Sequence, residues 1–260
     1  MAKLPSLYIP HGGGPCFFME WDPPDTWARM GAWLRGLAAE LPRPKAVLVV
    51  SAHWEEAEFV LTGHPHPPLI YDYYGFPEHT YRIEYPAPGA PALAEQARGL
   101  LAAAGLPARI DAARGYDHGV FIPFKLILPQ ADIPIVQLSL RLGLDPEEHL
   151  RAGAALAPLR EQGVLIVGSG MSYHNLRAFG PSAAGVSAGF DAWLAETAAA
   201  PDRDRRLARW EDAPGARAAH PREEHLLPLM VAAGAAPNES AKRIFGDRVM
   251  GATVSAIRFG

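Results

Sequence analysis

The chain has 260 residues, 49% hydrophobic and 20% charged, a composition that supports a sizeable buried core and excludes a disordered or membrane-embedded polymer. Its 24 basic and 28 acidic side chains leave a formal charge of -4, which offers no positive field for nucleic-acid phosphates, so no nucleic-acid partner is expected. One cysteine excludes an intramolecular disulfide and any multi-thiolate metal site, whereas ten histidines leave open a metal held by imidazole and carboxylate.

The stretch Met1-Ala-Lys-Leu-Pro5 has no long apolar core or small-residue cleavage site, and no window approaches about 18 uncharged apolar residues. The expectation is a cytoplasmic protein with no membrane partner. Short apolar, β-branched runs then alternate with longer amphipathic ones. In chain order the patterns predict a strand over 6–9, a helix over 26–40, strands over 46–51 and 59–62, and helices over 91–104 and 120–128. A strand over 134–140, a helix over 146–159, a strand over 164–168, helices over 188–199 and 221–233, and strands over 243–245 and 253–258 complete the series. Pro91, Pro146 and Pro221 stand where a first helical turn tolerates proline. The charge-dense run 202–209 reads as a solvated helix face or exposed loop. The fold class expected is α/β, one domain over 1–260, with a central mostly parallel or mixed sheet and helices on both faces.

The histidines fall in a pattern. His11, His53 and His174 each follow a predicted strand closely, and the C-terminal edge of the strands is where open α/β sheets bind ligands. Three imidazoles delivered to one crevice suit Zn, Fe, Cu or Ni. The glycines at 12, 13 and 14 lack the Lys-Ser/Thr of a phosphate loop and leave room for a substrate beside His11. His118, in Gly115-Tyr-Asp-His-Gly119, precedes an apolar helix and must hydrogen-bond or act. His225, after Glu224 in an early turn of the 221–233 helix, is either a partnered core histidine or a ligand. His64, His66, His79 and His149 read as surface or loop residues, and His220 is also placed away from the site. Cys16 lies near His11, but no third group is evident to orient a Cys–His nucleophile.

These segments resemble the class III extradiol ring-cleavage dioxygenases of the LigB type, within them the DOPA 4,5-dioxygenase-like branch. The resemblance is carried, in order, by Pro10-His-Gly-Gly-Gly-Pro15, Val50-Ser-Ala-His-Trp54, Tyr71-Asp-Tyr-Tyr-Gly-Phe-Pro77, Tyr85-Pro-Ala-Pro-Gly89, Gly115-Tyr-Asp-His-Gly119, Ile135-Val-Gln-Leu-Ser139, Gly168-Ser-Gly-Met-Ser-Tyr-His-Asn-Leu176 and Glu224-His-Leu-Leu-Pro-Leu229. It implies one divalent metal held by His11, His53 and His225, with His174 as a fourth ligand or the catalytic base. It also implies that His118 contacts substrate or oxygen. The wider superfamily carries a Glu ligand where this chain has His225. Dioxygenase chemistry needs Fe(II), while a four-histidine set would also suit Zn(II).

The implied substrates are a small aromatic diol, DOPA-like, and O2. Imidazole can take a catechol proton and later return one, with His174 the first candidate and His118 the second. Tyr73, Tyr116 and Trp54 could shape a flat pocket for the ring. A zinc-dependent hydrolase and a non-catalytic metal- or ligand-binding protein on the same scaffold are the alternatives, and a homo-oligomer is compatible with the sequence.

Overall fold

The structure is a computed structural model that describes residues 3–260. In chain order the elements are β1 (Ser6–Pro10), α1 (Ala28–Leu37), β2 (Ala46–Glu56), β3 (Phe59–Thr62), α2 (Pro91–Ala103), β4 (Ala108–Asp111), α3 (His118–Ile127) and β5 (Ile135–Arg141). They continue with α4 (Pro146–Leu156), β6 (Val164–Gly170), α5 (Ala183–Ala199), α6 (Arg203–Ala208), α7 (Ala216–Ala219), α8 (Leu227–Gly234), β7 (Ala241–Val249) and β8 (Ala252–Phe259). The strands form one mixed sheet in the order β4-β3-β5-β2-β6-β1-β8-β7. Its middle, β5-β2-β6-β1, is parallel, and the antiparallel pairs are β3–β5, β1–β8 and β7–β8. The parallel strands are buried on both faces and rich in apolar residues, with the few polar ones such as Gln137, Ser139 and Ser169 buried as well.

The C-terminal ends of β1, β2 and β6 meet at one edge, and glycines allow the next elements to approach it. A Cβ on Gly168 would stand 2.1 Å from the Pro228 carbonyl oxygen, and one on Gly170 would stand 2.1 Å from that of His225. Only glycine lets the segment entering α8 lie directly on β6. Likewise Gly153 and Gly234 bring α4 and α8 together, since a Cβ on either would meet the other helix's backbone near 2 Å.

Several sequence expectations shift. The last predicted helix begins at Leu227 with Pro228 in its first turn, so Glu224 and His225 lie in the turn before it instead of inside it. Strand β2 continues past residue 51 to Glu56, its register on β5 slipping between Val50 and Glu55, so His53 lies within an irregular strand. Edge strand β4 escaped prediction because its apolar–polar alternation, Ala-Arg-Ile-Asp, runs for only four residues. The run 202–209 is not wholly solvated: Arg203 is buried, and its guanidinium donates to the carbonyls of Ala233, Ala236 and Glu239. No helix among the described residues is long and apolar enough to cross a membrane.

His149 is a further correction. It is fully buried: its Nδ1–H donates to the Asp145 carbonyl at 2.7 Å, and its Nε2 accepts the Arg141 N–H at 3.2 Å. Burial lowers its pKa from the ordinary 6.5 to about 4. Between those values the unfolded chain binds the proton and the folded chain does not, so this contribution to stability is complete above the window and is lost as pH falls through it. We expect H149Q to be less stable than the parent by about 1–3 kcal/mol at pH 7.5. That deficit should shrink as pH falls toward 4, read from urea midpoints across the range; a deficit independent of pH contradicts it.

Candidate metal centre

Five histidines from five segments converge at this edge. His11 follows β1, His53 lies in β2, His118 opens α3, His174 follows β6 and His225 precedes α8. Ring centroids are 4.8 Å apart for His11–His53, 5.2 Å for His11–His225, 4.8 Å for His53–His225 and 3.9 Å for His53–His118. His174 stacks on His225 at 3.3 Å, with 19° between the planes.

Neighbouring groups take up one ring nitrogen of four of the five and decide which lone pair is free. Pro123, inside α3, has no N–H for the carbonyl of Gly119 one turn earlier. The Ser169 hydroxyl donates to that carbonyl instead, which leaves Ser169 Oγ to accept from His11 Nδ1–H at 3.2 Å. His11 is thereby held with its Nε2 lone pair toward the cluster. The Glu224 carboxylate accepts from His225 Nδ1–H at 2.8 Å and also lies 3.1 Å from His174 Nδ1. Asp72 Oδ1 accepts both the backbone N–H of His118, at 2.9 Å, and its Nδ1–H, at 2.8 Å. The Nδ1 of His53 stands 3.8 Å from the other oxygen of Asp72. Each ring is therefore turned with Nε2 inward.

Burial, reinforced by the neighbouring imidazoles, holds His11 and His225 well below the ordinary histidine pKa. Burial and the His118 ring do the same for His53, against the pull of Asp72. All three are neutral, the form that binds metal. Burial would raise Asp72 and Glu224, but hydrogen bonds from His118 and His174 carry both below the usual carboxylate range. Two anions thus back the cluster.

The donor set suits a divalent ion. The ligand atoms of His11, His53 and His225 lie within 4.8 Å of one another. The Nε2 atoms of His11 and His53 are 3.1 Å apart, and since the His11 Nε2 is a lone pair, two such nitrogens match neighbouring ligands of one ion at about 2.1 Å.

The cluster forms the floor of a cavity of about 490 Å³ whose walls include Gly12, Trp27, Tyr73, Phe76 and Phe179. Of the three aromatic residues expected to contact substrate, only Tyr73 lines it. Tyr116 is fully buried with its hydroxyl donating to the Ile135 carbonyl at 2.6 Å, so it supports the sheet. Trp54 is buried beside the cluster, its indole N–H on Glu56 and the Arg114 guanidinium 4.3 Å above its ring. Asp117 does not orient its neighbour His118; it faces Ser51 at 2.7 Å and Gln137 instead. Sequence reasoning missed Asp72, Ser169 and the double role of Glu224. An acid within the aromatic run Tyr71–Phe76 was the available signal for Asp72; nothing local marked Ser169. Cys16 is buried under the glycine turn, its sulfur taking the Gly13 N–H at 3.3 Å, and burial pushes its thiol pKa far up, which removes it as a nucleophile.

Comparison with known proteins gives a consistent result. The profile of the family described as "Catalytic LigB subunit of aromatic ring-opening dioxygenase" matches residues 7–258. The dioxygenase tasH of Hapsidospora irregularis is 37% identical, with 100% of this chain and 86% of that protein covered. A 4,5-DOPA dioxygenase extradiol of Beta vulgaris is 41% identical over 82% of this chain and 81% of its own length. The protein of the same name from Escherichia coli K12 is 36% identical over 90% and 86%. A crystal structure of an uncharacterized Escherichia coli K12 protein superposes with a TM-score of 0.77 at 31% identity, covering 99% of this chain and all of that one.

The Pro123–Gly119–Ser169–His11 relay generates a prediction. S169A and P123A should each weaken divalent-metal affinity about 10- to 100-fold, the first by removing the acceptor for His11 and the second by giving Gly119 an intrahelical partner. Competition against a chromogenic chelator measures it, and unchanged affinity in both variants would remove the relay.

Proposed function

The chain belongs to the LigB family of aromatic ring-opening dioxygenases, an extradiol oxidoreductase by that membership, and from this premise we propose that it uses Fe(II) to insert O2 into a small catechol, with His11, His53 and His225 as the metal ligands. The observation that carries the reading is the pair of carboxylate-backed imidazoles, His174 with Glu224 and His118 with Asp72, flanking the three-histidine cluster. When bound, the iron supplies the redox-active, Lewis-acidic chemistry toward catechol and O2 that no side chain here provides.

The residues divide the remaining work. His174 is assigned as base. Its ring lies nearly parallel to His225 with both Nδ1 atoms on Glu224, so the two Nε2 lone pairs run side by side and do not converge on one ion. With Nδ1–H on the carboxylate, His174 Nε2 is free to accept a catechol proton, and the Glu224 charge stabilises the imidazolium that results. On the other flank, His118 donates Nδ1–H to Asp72 and presents Nε2 to the cavity, where it can hold a proton for return to the opening product. Tyr73 and Phe76 stand edge to face at 5.6 Å and form an apolar wall of the cavity against which a flat ring can lie.

The test is anaerobic reconstitution with Fe(II), followed by catechol under air, reading oxygen uptake and the ring-opened product. Turnover is expected with iron and not with zinc; bound iron without turnover of any catechol overturns the proposal. H174Q should keep its metal and lose about 10²- to 10⁴-fold in kcat, as for removal of a general base. D72N should lower kcat in the same direction with metal content unchanged.

A further inference from the structure

The cavity over the histidines opens through an apolar rim. Four large hydrophobic side chains stand exposed among the described residues, and three of them, Tyr74 at 91%, Leu176 at 72% and Met250 at 45%, line this one cavity. Single exposed apolar residues are ordinary; a contiguous set round a cavity marks a binding surface. The backbone holds two of the three in place. Met250 and Gly251 form the positive-φ turn between β7 and β8, and the Met250 carbonyl accepts the Gly180 N–H at 2.7 Å. Leu176 sits in a turn whose neighbour Asn175 accepts the Arg177 N–H and donates to the Ala218 carbonyl at 2.8 Å.

Charge is equally one-sided. Apart from the histidines, the only ionisable acid or base with a charge at neutral pH in the lining is Asp72, already committed to His118, and no lysine or arginine lines the cavity among the described residues. The adjoining cleft beyond Trp21 and Met250 is acidic on balance, with three aspartates against two arginines. There Arg29 and Arg248 face Asp22, Asp25 and Asp247, with Arg29 on Asp247 at 3.5 Å. A carboxylate carried into this space would leave water without a partner. Meanwhile a volume of about 490 Å³ lies in the range that holds ligands well beyond a bare catechol ring.

Resting on the catechol-cleaving reading of this site, we infer that the preferred substrate is a catechol bearing an uncharged alkyl or aryl substituent, seated against Tyr74, Leu176 and Met250, and that catechols with a carboxylate or amino-acid side chain are poor substrates. The iron-loaded enzyme is assayed with catechol, 4-butylcatechol, 3-(3,4-dihydroxyphenyl)propionate and DOPA. The kcat/KM for 4-butylcatechol should exceed that for the near-isosteric propionate by about tenfold or more. L176K should narrow or reverse that ratio by supplying the missing cation. Anaerobic binding of the same compounds, followed by tryptophan quenching, should rank them in the same order. Propionate or DOPA equal to or better than 4-butylcatechol, in turnover or binding, overturns the inference while leaving the dioxygenase reading intact. Failure of all four compounds, catechol included, overturns the dioxygenase reading and the inference with it.

Discussion

Five imidazoles held within a few ångströms of one another can coexist in a buried site only if the central ones are uncharged, and that constraint organises the rest of the molecule. A neutral imidazole has one N–H and one lone pair, so each ring needs an acceptor behind it and a common target in front. Ser169, Glu224 and Asp72 supply acceptors for four of the rings, and the lone pairs of His11, His53 and His225 lie close enough together that a divalent ion would neutralise their mutual repulsion.

Much of the surrounding fold can be understood as the means of placing those acceptors. Pro123 is poor helix chemistry in itself, yet the carbonyl it strands turns Ser169 toward His11. Gly119, Gly168 and Gly170 stand where a Cβ would collide with Ser51 Oγ, the Pro228 carbonyl or the His225 carbonyl. These glycines allow β2, β6 and the turn before α8 to approach until their histidines touch. The His225 carbonyl is fixed in turn by the Met171 N–H at 3.1 Å and the Tyr8 hydroxyl at 2.8 Å. Ligand orientation is therefore inherited from backbone packing.

The two carboxylates give the centre its asymmetry. Glu224 serves a candidate ligand and a candidate base at once, coupling the geometry of His225 to that of His174. Asp72 belongs to a loop of aromatic residues and couples His118 to the wall of the pocket. The proposed proton handling on either flank thus depends on groups that also shape the candidate metal centre and the cavity above it, an economy available because the strand ends open into one crevice.

The histidine positions after apolar strands, the glycines beside them and the ordered motifs were legible in the sequence, because strand periodicity and the location of ligand sites in open α/β sheets are local or topological rules. They placed His11, His53 and His174 at the sheet edge, the family resemblance added His118 and His225, and the structure brings those five together. What the sequence did not reveal depends on contacts between residues far apart in the chain: Asp72 behind His118, Ser169 behind His11, Tyr116 and Trp54 turned away from the cavity, His149 buried, and an apolar rim assembled from Tyr74, Leu176 and Met250. Residue type and spacing determined which groups reach the sheet edge. Only tertiary packing decided which nitrogen each ring presents, which aromatic lines the cavity and which apolar side chains stay exposed, since a side chain's partner is set by the segment that folds against it.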